Sequence, residues 1–121
     1  MHKTRVLVAD KNEIFAHSLK LLIAKHTDIE ISSTGTSYES LALSMHNKPF
    51  EVLLLDVNLL GDNVATSIAK LRELKATFRL LVMMNKTSDA YLDLYKNIPG
   101  VHAFVSKNAD IDELIAAIRN K

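Results

Sequence analysis

The sequence predicts a doubly wound α/β sandwich, a parallel sheet with helices on both faces. Three observations lead there. Five short apolar runs recur along the 121 residues, and each is followed by a segment of helical character. The runs are continuous rather than alternating, as in strands buried on both faces. Right-handed crossovers between such strands then place helices on both sides of the sheet. One domain, residues 1–121, accounts for the length, and 48% hydrophobic residues suffice for its core.

Val6-Leu7-Val8-Ala9 is the first run and stops at Asp10. Ile14, Phe15, Leu19, Leu22 and Ile23 then recur at helical spacing, with Asn12 as the available cap. Residues 29–33 read as the second strand. Residues 37–47, carrying Leu41, Leu43 and Met45, read as a helix that Pro49 punctuates. Val52-Leu53-Leu54-Leu55 ends in Asp56, and Ile68, Leu71 and Leu74 come next on a helix capped by Asp62 or Asn63. Residues 80–84 form the fourth run, before a helix through Leu92 and Tyr95 capped by Thr87 or Ser88. Pro99-Gly100 is a turn signal ahead of the fifth strand, residues 103–105. The last helix carries Ile111, Leu114, Ile115 and Ile118 on one face, and Asp110 and Glu113 have capping-box spacing at its start.

Composition removes several function classes. A net charge of +1 gives no electrostatic footprint for non-specific nucleic-acid binding. The charge-free stretches are far too short for a membrane span, and the apolar stretch before Asp10 is too short for a signal peptide. Without cysteine there is no disulfide, thiolate chemistry or Cys-ligated metal, and a cytoplasmic setting is expected. His2, His17, His26, His46 and His102 are scattered without ligand spacing and read as surface residues.

In a sheet of this kind ligands bind beyond the carboxyl ends of the strands, so the chemistry is sought there. Asp10 and Asp56 close two apolar strands. An aspartate after a strand is most often a cap for the next helix, but two on neighbouring strands can share one acidic pocket. Lys107, after the fifth strand, either reaches that pocket or is a solvated loop lysine.

These residues, in this order, resemble a receiver domain, the CheY-like module of two-component response regulators. The likeness spans nearly the whole chain. It rests also on Asp56-Val57-Asn58-Leu59-Leu60-Gly61, on Gly100-Val101-His102-Ala103-Phe104-Val105-Ser106-Lys107, and on Asp112-Glu113-Leu114-Ile115-Ala116-Ala117-Ile118, the last similar to the NarL/FixJ class. The resemblance implies a five-stranded sheet in the order 2-1-3-4-5. It implies a signalling module rather than an enzyme, with Asp56 as phosphoacceptor from a sensor histidine kinase and Lys107 as phosphate clamp. Phe104 would be the aromatic that reorients on activation. Mg2+ would be held by Asp56 and the Asn58 carbonyl, with help from Asp10.

The chain also departs from the family. Lys11 stands where the family has a second acid, so Asp10, Lys11, Asp56 and Lys107 sum to zero instead of the usual −2, which weakens any Mg2+ site. The Lys11 ammonium either approaches Asp56 in place of the metal or points to solvent. Met84 occupies the switch position of Thr or Ser at the end of the fourth run, and a thioether donates no hydrogen bond. A one-residue slip would give that role to Asn85. Leu60 and Asn108 replace prolines, and Val64 replaces a glycine. The expectation is an atypical receiver, weakly phosphorylated at Asp56 or not at all, that signals by conformational change or as a homodimer. The last helix is the candidate dimer face.

Rival readings are a conventional receiver that tolerates Lys11 and Met84, and a small flavin-binding or hydrolytic α/β enzyme. The second draws on Ser32-Ser33-Thr34-Gly35-Thr36-Ser37, otherwise a turn with a Ser37 cap. A NarL/FixJ receiver ordinarily precedes a helix-turn-helix domain. The expectation is therefore a receiver excised from a longer transcriptional regulator, with DNA binding left to the missing C-terminal domain.

Overall fold

A computed structural model describes residues 3–75, 77–85 and 98–120. Strands β1 (Thr4–Ala9), β2 (Ile29–Gly35), β3 (Val52–Asp56), β4 (Arg79–Met84) and β5 (Ala103–Ser106) form one parallel sheet in the order 2-1-3-4-5. Helices α1 (Glu13–Ile23), α2 (Tyr38–Asn47), α3 (Val64–Leu74) and α4 (Ile111–Arg119) cover its faces, and a 3-10 turn, Val57–Leu60, comes after β3. The helix expected from Thr87 or Ser88 through Leu92 and Tyr95 lies outside the described residues. No helix among those described is long and apolar enough to cross a membrane.

The continuous apolar runs are buried on both sides, because successive side chains of a strand point to opposite faces. Leu7, Leu53, Leu55, Val82 and Met84 pack with α2 and α3, whereas Val6, Val8, Leu54, Leu81 and Met83 pack with α1 and α4. Asn12 caps α1, accepting from the Phe15 N–H at 3.1 Å, and Asn63 rather than Asp62 caps α3, accepting from Thr66.

Several sequence expectations are corrected. Leu43, Leu74, Ile14 and Leu22 are exposed. Leu43 and Ile14 each lie two residues from a core position, about 200° around a helix. Leu22 adjoins the core residue Ile23 and is turned outward by about 100°, and Leu74 closes the last turn of α3. Strand β2 continues past Ser33 to Gly35, since Thr34 and Gly35 still pair with Val8 and Ala9 across a bulge at Ser32. Ser37 then caps α2 in a capping box with Ser40. At α4 no such box forms, because the Asp110 side chain accepts from the Asp112 N–H.

Candidate functional site

Three strands end at one point, and each supplies a charged side chain. Asp10, directly after β1, is 0% exposed, and Asp56, the last residue of β3, is 2% exposed. The two carboxylates divide their oxygens in the same way. Asp10 Oδ1 accepts from the Asn12 N–H at 2.8 Å, and Asp56 Oδ1 accepts from the N–H and Nδ2 of Asn58 at 3.2 and 3.3 Å. Each Oδ2 faces Lys107, whose Nζ lies 2.7 Å from Asp10 and 3.3 Å from Asp56. The capping function is therefore real for Asp56, which opens the 3-10 turn, but it occupies one oxygen only. Burying a carboxylate is tolerable only with such partners.

Lys107 is held in place from two sides. Its N–H donates to the Met84 carbonyl at 2.8 Å, continuing the β4/β5 alignment, and its ammonium lies 4.9 Å from the centre of the Phe15 ring. It is thus no loop lysine in solvent. Lys11 is exposed on the wall of the same cleft and makes no ion pair among the described residues. The carboxylates belong to Lys107, so the alternative in which Lys11 sits on Asp56 is not the arrangement adopted.

The switch positions lie apart from this corner. Met84 is 0% exposed and buried in the α2/α3 side of the core, against which the half-buried Phe104 also packs. The residue that reaches the cleft is Asn85, together with Asn12, Asn58 and Asn108. Asn108 Nδ2 donates to the Asn85 carbonyl at 3.3 Å, and the Asn108 N–H donates to Ser106 Oγ at 3.1 Å. A proline at position 108 could make neither bond. Leu60 is buried, and its carbonyl accepts from Ser67 Oγ; Val64 is buried at the start of α3.

Sequence reasoning missed Phe15 as a site residue. Its helical spacing assigned it to the core, yet the first turn of α1 sits over the strand ends and brings the ring to Lys107. The serine hydroxyls of the 32–37 segment bond within the fold: Ser33 with Ser44 of α2, Ser37 with Ser40, and Ser32 with the Val6 carbonyl of β1. His17, His46 and His102 are exposed, as expected.

The family model of the response regulator receiver domain matches residues 6–119. The Fimbriae Z protein of Escherichia coli (strain K12) is 22% identical over 119 residues, covering 98% of this chain and 56% of that protein. The nitrate/nitrite response regulator protein homolog of Haemophilus influenzae is 24% identical, covering 97% and 56%. The chain thus spans about half the length of the curated relatives it matches. Among solved structures, RcsB from Salmonella enterica serovar Typhimurium, bound to promoter rprA in the presence of phosphomimetic BeF3-, superposes with a TM-score of 0.83. It is 16% identical, with 97% of this chain and 66% of that one covered. A response regulator from Burkholderia pseudomallei, with a phosphorylated aspartic acid, calcium ion and citrate, gives 0.77 at 23% identity, with 98% and 68% covered. At these identities the likeness is one of fold.

Proposed function

This chain belongs to the response regulator receiver domain family of two-component signalling, and from that premise we propose that it is an atypical receiver. It relays its signal by conformational change or dimerisation, with phosphorylation of Asp56 weak or absent. The carrying observation is the neutral corner: Lys107 bridges Asp10 and Asp56, and Lys11 stands where a second acid would be.

Magnesium is the ion the family implies. Its donors here would be Asp10, Asp56 and the Asn58 carbonyl. Both carboxylates already give one oxygen to Lys107 and another to local N–H groups. Among the described residues no group of three or more His, Cys, Asp or Glu is arranged to hold a metal. A hard dication needs anionic oxygens to offset its dehydration, and four charges summing to zero supply too few. The residues do not fit the ion, and no step of this reading passes through it.

The same economy applies at the switch. Met84 has no donor for a phosphoryl oxygen, so the usual route from Asp56 to Phe104 lacks its middle member. Output then falls to association, through a homodimer face or through the remainder of a longer regulator. The relatives' greater length supports such a second half, to which DNA binding would belong. A cytoplasmic setting and a sensor kinase as an upstream partner complete this reading.

The test is a magnesium titration in the presence of beryllofluoride, followed by amide NMR shifts. A folded spectrum unresponsive at Asp56, Met84 and Lys107 is expected. Saturation at ordinary magnesium concentrations, or stoichiometric and stable modification of Asp56 by acetyl phosphate, would overturn the proposal in favour of a conventional receiver. The 3.3 Å approach of Lys107 to Asp56 is what favours that second reading.

A further inference from the structure

A cavity of about 150 Å3 lies between α1 and α4. Its walls are mostly apolar, with Phe15, Leu19 and Leu22 from α1, Leu114 from α4, and Met83 and Val105 from the sheet. Ser18 and Ser106 are polar exceptions beside Lys107. Two of its lining residues, Phe15 and Lys107, also line the cleft that holds Asp10 and Asp56. With Lys107 Nζ 4.9 Å from the ring centre, one ammonium and one ring form the partition between cavity and cleft. Met83, in the cavity wall, stands opposite Asp56 in the β3/β4 register.

We propose that this cavity binds a small uncharged ring compound carrying one hydrogen-bond acceptor, and that its occupancy is read at Asp56 through Lys107. Volume sets the size, since a cavity of roughly 150 Å3 with mostly apolar walls takes a benzene-sized guest. A guest there also takes the apolar surface of Phe15, Leu22 and Leu114 out of water. Charge sets the class. With Lys11 on the cleft wall the neighbouring charges sum to zero and so draw in neither an anion nor a cation, and a cation would also have to displace Lys107. An ammonium has three N–H groups, and the two carboxylate oxygens within ion-pair distance of Nζ can engage at most two of them. The third is left for a neutral acceptor beside Phe15.

Coupling arises from the same contacts. An acceptor that draws Nζ toward the cavity lengthens first the weaker of its two ion pairs, the 3.3 Å one to Asp56. The carboxylate of Asp56 then loses part of its compensating charge. None of this depends on whether Asp56 accepts a phosphoryl group, so the proposal stands apart from the atypical-receiver reading.

Benzyl alcohol titrated into methyl- and amide-labelled protein tests both halves. Saturable methyl shifts at Leu19, Leu22, Val105 and Leu114 are expected, with concurrent amide shifts at Asp56 and Asn58. Xenon, which lacks an acceptor, should move the methyls alone. Leu22→Trp, at the exposed mouth, should weaken benzyl alcohol binding about tenfold or more and leave thermal unfolding cooperative. If that variant fails to fold, Ser18→Phe on the exposed rim serves the same purpose. Methyl shifts that stay linear to the solubility limit, or that both blocking variants leave unchanged, would overturn the site. Saturation without any response at Asp56 and Asn58 would overturn the coupling.

Discussion

The ends of β3 and β4 lie side by side in register, yet they finish in opposite chemistries. Asp56 closes one and enters a corner of interlocked charges with Asp10 and Lys107. Met84 closes the other and sinks into the apolar core beside Phe104. The charged corner holds itself together, because none of its three members is tolerable in a buried setting without the others. The β4 end carries no such obligation, and a hydrophobic side chain fills it without penalty. Removing any one member of the corner therefore costs stability, whatever chemistry the corner performs. The β4 end is the better witness to function.

Breaking the corner should have the largest effect. Lys107→Ala leaves two buried carboxylates uncompensated and is expected to cost about 3–5 kcal/mol in urea unfolding. Adding Asp10→Asn should recover a good part of that loss. A loss below ~1 kcal/mol, the level of an exposed pair, would mean the corner is solvated and the contrast with Met84 is false. At the other end, Met84→Thr removes methylene and thioether contacts from a fully buried position and should cost about 2 kcal/mol. Beryllofluoride would be unable to recover that loss unless the corner also binds metal.

Lys11→Asp sharpens the comparison from the charge side. The residue is exposed, so stability should change by less than about 0.5 kcal/mol. The corner's formal sum moves from zero to −2, the value from which the family works. Magnesium affinity, followed by amide shifts at Asp56 and Asn58, should rise about tenfold or more, roughly 1.4 kcal/mol. No gain would place the barrier in the Lys107 bridge rather than in the missing acid. Lys11→Asp with Met84→Thr would then be the pair that separates metal binding from switching.

Much of this corner was legible in the sequence, because continuous apolar runs locate strand ends and strand ends locate ligand sites. Which lysine takes the carboxylates was not. Lys11 and Lys107 are both within reach by chain position. The backbone decides, since the Lys107 N–H bonded to Met84 aims its side chain across the strand ends, whereas Lys11 leaves along the loop into α1. Phe15 was hidden for a related reason. Periodicity reports which face of a helix is apolar but not which turn overhangs the sheet. Ile14, Leu43 and Leu74 show the converse error, apolar residues whose phase or position in the helix leaves them in solvent.

The smallest expected effect comes from a pair of the same chemistry placed at the surface. Arg119 of α4 holds Asp28, ahead of β2, through two hydrogen bonds of 2.8 Å. Those bonds lower the Asp28 pKa below its ordinary 3.8 and raise that of Arg119. Because the folded-state value is the lower one, the stabilisation is complete above the unfolded value and fades as pH falls through the folded one. Asp28→Asn should therefore lower the urea midpoint slightly at pH 7, and by progressively less as pH falls below the ordinary 3.8. One molar salt should shrink the pH 7 difference, since water and ions screen an exposed pair. Salt should do far less to Lys107→Ala, whose lost contacts are buried. If the two variants respond to salt alike, the corner is open to solvent, and burial is no longer what holds Asp10, Asp56 and Lys107 together.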